Sequence, residues 1–220
     1  MISDILKLLS KDNLQVQALS QCYEMLDMCQ TMVKASVESL RHSDTADVSV
    51  DVYEMDRRVN SFEREVRRKV MTHLAIGGTA DLSSGLTLVS IVIDLERIGD
   101  YGKNILDLAS SHPKRLHAGN LEEKLREVED SALTKFDRTV TAFKQGDQGE
   151  ASHLMEEYKE DISAKVRIIE EMLVRGETDL DPKDAVTCAL YTRFLKRISA
   201  HSRNLVSSLV NPFDRIGYPE

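Results

Sequence analysis

Apolar residues recur at helical intervals along most of the chain. Leu14, Ala18, Cys22, Met25, Cys29, Met32 and Leu40 follow steps of mostly three and four, and Val48, Val52, Met55, Val59, Phe62 and Val66 do the same after a polar break at 43–47. Two long amphipathic helices are predicted. Gly77-Gly78 then interrupts the pattern, and Ser83 and Ser84 offer caps for a third helix from about Leu86 to Ser110. Ahead of all three, Ile2, Ile5, Leu6 and Leu9 form a short apolar stripe, expected as a short N-terminal helix docked on the bundle or on another protomer.

The second half repeats the plan. Residues 111–119 contain Pro113 and Gly119 and lose periodicity, which places a boundary there. Asn120, with Glu123 three residues on, resembles a capping box, and apolar residues resume at Leu121, Leu125, Val128, Ala132, Phe136, Val140 and Phe143. Gly146 and Gly149 bracket a second break, a further helix is expected to about Arg175, and Asp181-Pro182 opens a last one that Asn211-Pro212 ends. Shifting the chain by 100 residues superposes Leu95, Arg97, Ile98 and Asn104 on Leu195, Arg197, Ile198 and Asn204. The expected fold is all-α: two tandem three-helix bundles of six long helices, over residues 1–110 and 120–210, with a docked tail at 211–220.

Composition narrows the class. With 41% hydrophobic, 30% charged and 5% aromatic residues, the 220-residue chain suits helical bundles. A net charge of -8 argues against a nucleic-acid binder, whose affinity comes from Lys and Arg. The longest apolar stretch, Leu86 to Ile93, falls far short of the about 20 residues that span a bilayer. The N-terminal residues lack the basic and apolar regions of a signal peptide, so a cytoplasmic location is expected. Three cysteines without metal-site spacing fit a reducing compartment, and Cys22 and Cys29, seven apart, read as core residues.

One constellation carries chemistry. Glu96 and Asp100 stand four apart on the third helix, and Asp56 and Asn60 show the same spacing on the second. If the two helices fold back on each other, Asp56 opposes Asp100 and Asn60 opposes Glu96, both pairs centred on residue 78 within the Gly77-Gly78 break. Like charges gathered in this way repel unless a cation sits among them, and oxygen-only ligands suit a hard metal ion. In the second half Lys196, Ala200, Lys159 and Ser163 occupy the corresponding positions, so no metal is expected there.

The run Asp94-Leu95-Glu96-Arg97-Ile98-Gly99-Asp100-Tyr101, followed by Asn104-Ile105, resembles the signature of the PhoU family of phosphate transport regulators. It recurs in altered form as Lys196-Arg197-Ile198-Ser199-Ala200-His201 with Asn204-Leu205. The resemblance implies tandem three-helix bundles whose acidic motifs bind metal (iron, zinc, manganese or magnesium), with Glu96, Asp100 and Asp56 matching and Asn60 standing where the family usually has an acid. It also implies an adaptor between a phosphate ABC transporter subunit and a sensor histidine kinase, reaching the membrane through those partners. An alternative of another class is a metal-carrying scaffold, as a homodimer, with no phosphate role. Catalysis is not expected. The di-iron carboxylate arrangement wants two Glu-x-x-His motifs and two more Glu residues, and Glu150-Ala-Ser-His153 is the one match. No Walker-type loop or nucleophile triad is assignable.

Overall fold

The computed structural model describes residues 2–218 except 46, 78–79, 113 and 160–161, and the side chains of residues 1–13 and 159 also lie outside the described set. All regular structure among the described residues is helical. The order is α1 (Ile2–His42), α2 (Val52–Gly77), α3 (Leu82–Ser111), a 3-10 turn (Gly119–Leu121), α4 (Glu122–Gln145), α5 (Gln148–Lys159), α6 (Ile162–Val174), α7 (Pro182–Val210) and a closing 3-10 turn (Phe213–Arg215).

Helices α1, α2 and α3 pack on one another as a first group, α4 to α7 as a second, and α3 lies along α7 between them. The repeat seen in the sequence is a repeat of core positions. Leu95, Ile98 and Ile105 on α3 and Leu195, Ile198 and Leu205 on α7 are all fully buried, and burial of a Leu or Ile side chain stabilises by about 1.5–3 kcal/mol. One continuous apolar core runs through both groups. Cys22, Cys29 and Cys188 are buried free thiols within it, as expected for the first two. Burial lifts the Cys22 thiol to about 12.

The linker between the groups is built into the core. Leu116 and Ala118 are fully buried, the Leu116 amide donates to Leu40 O at 2.7 Å, and Arg41 Nη1 donates to Leu116 O. Arg41 also donates through Nε to both oxygens of Glu129 at 3.0 and 3.1 Å and through Nη2 to Glu122 at 2.6 Å, while the Tyr191 hydroxyl donates to Glu129 at 2.7 Å. A single guanidinium therefore ties α1, the linker and α4 together, and Glu129 extends the tie to α7.

Several helix ends differ from the periodic reading. No Gly or Pro stands between Ile2 and Leu14, and α1 is continuous from Ile2 instead of opening with a separate short helix. The stripe Ile2, Ile5, Leu6 and Leu9 itself lies outside the described side chains. Helix α3 starts after Asp81, so Ser83 and Ser84 fall inside its first turn, with the Ser84 hydroxyl donating to Asp81 O. Asn120 does not cap α4. It sits in the 3-10 turn, where its amide donates to Asp179 Oδ1 at 2.9 Å and its Nδ2 to Glu177 O at 3.2 Å. That clamp is close enough that a Cβ on Gly119, at φ +50, would collide with the Asp179 carboxylate. The Asp181 cap holds as expected, its Oδ1 accepting from the amides of Lys183 and Asp184 at 2.8 and 2.9 Å.

The helix expected from Gly149 to about Arg175 is described as α5 and α6, with residues 160–161 outside the described set. The tail docks on α7 through its backbone: Gly217 N donates to Ser207 Oγ at 3.0 Å, and Arg203 Nη2 donates to Gly217 O at 3.1 Å. The Phe213 and Tyr218 rings are themselves exposed.

Candidate functional site

Antiparallel packing of α2 on α3 brings the four acidic-motif positions to one stretch of the first bundle. The alternation of Val52, Val59, Val66 and Val70 on the buried face of α2 sets its rotation, and Val59 meets α3 at Gly99. Tyr53 Oη donates to Asp107 at 2.7 Å one turn from the end. These pairs are centred about one to two residues beyond residue 78. The residue of α3 that reaches Asp56 is accordingly Lys103, which stands less than one turn past Asp100.

Lys103 Nζ donates to Asp56 Oδ2 at 2.8 Å and to Asp100 Oδ1 at 3.2 Å. Burial alone would push this ammonium down, but the hydrogen bonds to the two carboxylates outweigh it and hold its pKa above the ordinary lysine value. Asn60 Nδ2 donates to the same Asp56 Oδ2 at 3.3 Å. Arg97, largely exposed, reaches Glu96 and Asp100 at 3.5 Å each. Glu96 is held above the usual carboxylate range, first by burial and then by the neighbouring charge of Asp100, with Glu63 and Asp56 adding to it and Arg97 opposing.

These oxygens are the donor type that a hard cation takes, and at Glu96 the charges of Asp100, Glu63 and Asp56 add to the effect of burial. As the side chains stand, no three Asp, Glu, His or Cys groups among the described residues converge as a ligand set. A metal ion would take the place now held by the Lys103 ammonium.

Sequence reasoning missed two residues of this region besides Lys103. Glu63 adds a further carboxylate on α2, itself paired with Arg67 at 2.8 Å. Asp94, the first residue of the motif, turns away from the acidic cluster and into the contact with α7. Its Oδ1 lies 2.7 Å from His201 Nδ1 and accepts from Asn204 Nδ2 at 2.8 Å. Arg197 Nη2 lies 3.2 Å from His201 Nε2. A guanidinium only donates, so His201 accepts at Nε2 and carries its proton on Nδ1, aimed at Asp94. Tyr101 stacks on His201 with ring centroids 5.9 Å apart. The available signal was the helical spacing of Asp94 with Leu95, Ile98 and Ile105 on the buried side of α3.

The one Glu-x-x-His match is not set up as a metal ligand pair. Arg138 binds Glu150 at 2.7 Å, Glu157 at 2.7 Å and His153 at 3.2 Å, drawing all three into an ion-pair network.

Fold and site together define a class: an all-helical protein of two packed groups of helices with an acidic helix pair in the first. Residues 22–109, within the first group of helices, match the family model described as the PhoU domain. The chain is 24% identical over 196 residues to the phosphate-specific transport system accessory protein PhoU homolog of Rhizobium meliloti (strain 1021), covering 84% of this chain and 79% of the relative. The crystal structure of PhoU from Pseudomonas aeruginosa superposes with a TM-score of 0.79 at 21% identity, covering 90% of this chain and 96% of that one. The phosphate transport system regulatory protein PhoU from Streptococcus pneumoniae gives a TM-score of 0.71 at 17% identity, over 92% and 94% of the two chains.

Proposed function

We propose that this protein is an accessory regulator of a phosphate transport system. On this reading it works in the cytoplasm by contacting a transporter subunit or a sensor histidine kinase, and not by catalysis. The observation that carries the reading is a PhoU domain match whose motif, Glu96 to Asp100, sits beside Asp56 and Asn60 on the packed α2–α3 pair. Among the described residues no helix is long and apolar enough to cross a membrane, so contact with a transporter would be through protein surfaces.

Asp56, Glu96 and Asp100, with Asn60 as a neutral neighbour, would hold a metal ion if one is bound. Such an ion would supply a fixed positive charge to the acidic helix pair. At the corresponding positions of the second group Lys196 and Ala200 replace the two acids.

The regulatory reading is tested in phosphate-replete cells carrying a reporter for a phosphate-starvation gene. Deleting the gene for this protein should raise the reporter, and restoring the wild-type gene should lower it again. An unchanged reporter would count against a phosphate role and favour a scaffold or carrier protein.

A further inference from the structure

The second bundle carries a cavity where the first carries its acidic pair. Lys196, Ala200 and Ser163, which answer to Glu96, Asp100 and Asn60, line a hollow of about 140 Å3 against α7. Arg197 and Arg203 complete its charged wall. No carboxylate lines this cavity among the described residues. The adjoining hollow, which shares Ser163 and Lys196, adds Arg167 and a single acid, Glu170.

The cations here lack the partners that surface lysines and arginines usually find. Lys196 has no carboxylate partner among the described residues. Arg197 gives its hydrogen bonds to Tyr101 Oη and His201 Nε2, neither of them an anion. Arg203 Nη2 donates to the Gly217 carbonyl, and its Nε is buried with no hydrogen-bond partner. An enclosed N–H without an acceptor is costly, and clustered cations raise one another's energy unless an anion joins them.

We propose that this cavity binds a tetrahedral oxyanion of the phosphate class, with Lys196, Arg197 and Arg203 supplying the charge. The internal repeat has thus inverted its electrostatics: a seat for a cation between α2 and α3 and a seat for an anion beside α7. The chemistry of the cavity stands apart from the regulatory reading and survives if the reporter experiment fails.

Equilibrium dialysis of the full chain against radiolabelled inorganic phosphate tests it, with chelator present and sodium chloride holding the ionic strength constant. Wild type should retain about one phosphate per chain, displaced by sulfate and not by added chloride. Lys196→Glu, which places the acid of the first repeat in the second, should weaken retention at least about tenfold, since charge-assisted hydrogen bonds to the ion are lost and repulsion replaces them. Lys196→Gln serves if that variant fails to fold. Lys34→Gln, which removes an exposed cation on α1, should bind as wild type does. No retention by wild type above the chloride control, or equal retention by folded Lys196→Gln, overturns the proposal.

Discussion

Lys103 Nζ bridges the carboxylates of Asp56 on α2 and Asp100 on α3, at 2.8 and 3.2 Å. The chain thus brings its own cation to the place where its acidic motif calls for one. A lysine ammonium is a single positive charge with three donors and a flexible stem. A divalent ion offers twice the charge and accepts more oxygens. On the proposed reading a divalent ion would have to displace Lys103 from the Asp56 and Asp100 oxygens, and that balance is accessible to experiment.

Replacing Lys103 with Met should shift that balance in a defined direction. In chelator the variant loses the bridge, leaving Asp56, itself only 8% exposed, beside Asp100 without an ammonium. A cost of about 1–2 kcal/mol in urea unfolding is expected for a partly exposed pair. Added manganese or zinc should restore more stability to the variant than to wild type. Elemental analysis after dialysis without chelator should show more metal in the variant, and Asp100→Ala should remove it from both. Equal metal in wild type, Lys103→Met and Asp100→Ala would refute the site.

Glu96 gives a prediction with a definite sign against pH. Its folded-state pKa is raised by burial and by Asp100, so its ionised form is disfavoured in the native protein. The stability it contributes is fully present below the unfolded carboxylate value near 4.5 and is lost as pH rises through the folded value. Glu96→Gln removes that loss. In chelator the variant should be more stable than wild type at pH 7.5, and the difference should vanish by pH 4, as read from urea midpoints. Glu122 titrates in the opposite sense. Burial alone would raise it, but Arg41 and the Ala118 amide hold it below 4.5, so its contribution is present at neutral pH and lost on acidification. A pH series on Glu96→Gln alone separates the two.

The helices and their repeat were legible because apolar period and core position are the same property. Leu95, Ile98 and Ile105 match Leu195, Ile198 and Leu205 in sequence and are all fully buried in the fold. The Asp181-Pro182 start was legible because capping is local. Asn120 carries the same local signal, but the Asp179 carboxylate captures its amide across the loop that precedes α7, which no spacing reveals. Co-location of Asp56, Asn60 and Asp100 followed from hairpin geometry. The place of Lys103 did not, because a hairpin centre displaced by a residue or two decides which turn of α3 faces Asp56, and that displacement is set by packing of Val59 on Gly99.

Arg41 offers the sharpest test of how the two groups of helices are held together. Its side chain is 4% exposed and that of Glu129 10%, so their pair is shielded from salt. Its pKa is raised: desolvation opposes the charge, but the hydrogen bonds it donates to Glu122 and Glu129 overcome it. Removing one member strands the other. Arg41→Met leaves Glu129 buried with, among the described residues, only the Tyr191 hydroxyl, 2.7 Å away, as donor, and a buried charge without its partner costs about 3–5 kcal/mol. Glu129→Gln should cost less, because the amide oxygen still accepts from Arg41 or Tyr191 and Glu122 still neutralises the guanidinium. The double variant should cost less than the two single costs added together, since the groups act as one network. Urea unfolding of the three variants measures this. If Arg41→Met unfolds within about 1 kcal/mol of wild type, the size expected of an exposed pair, the guanidinium is not what fastens α1 to the linker and α4.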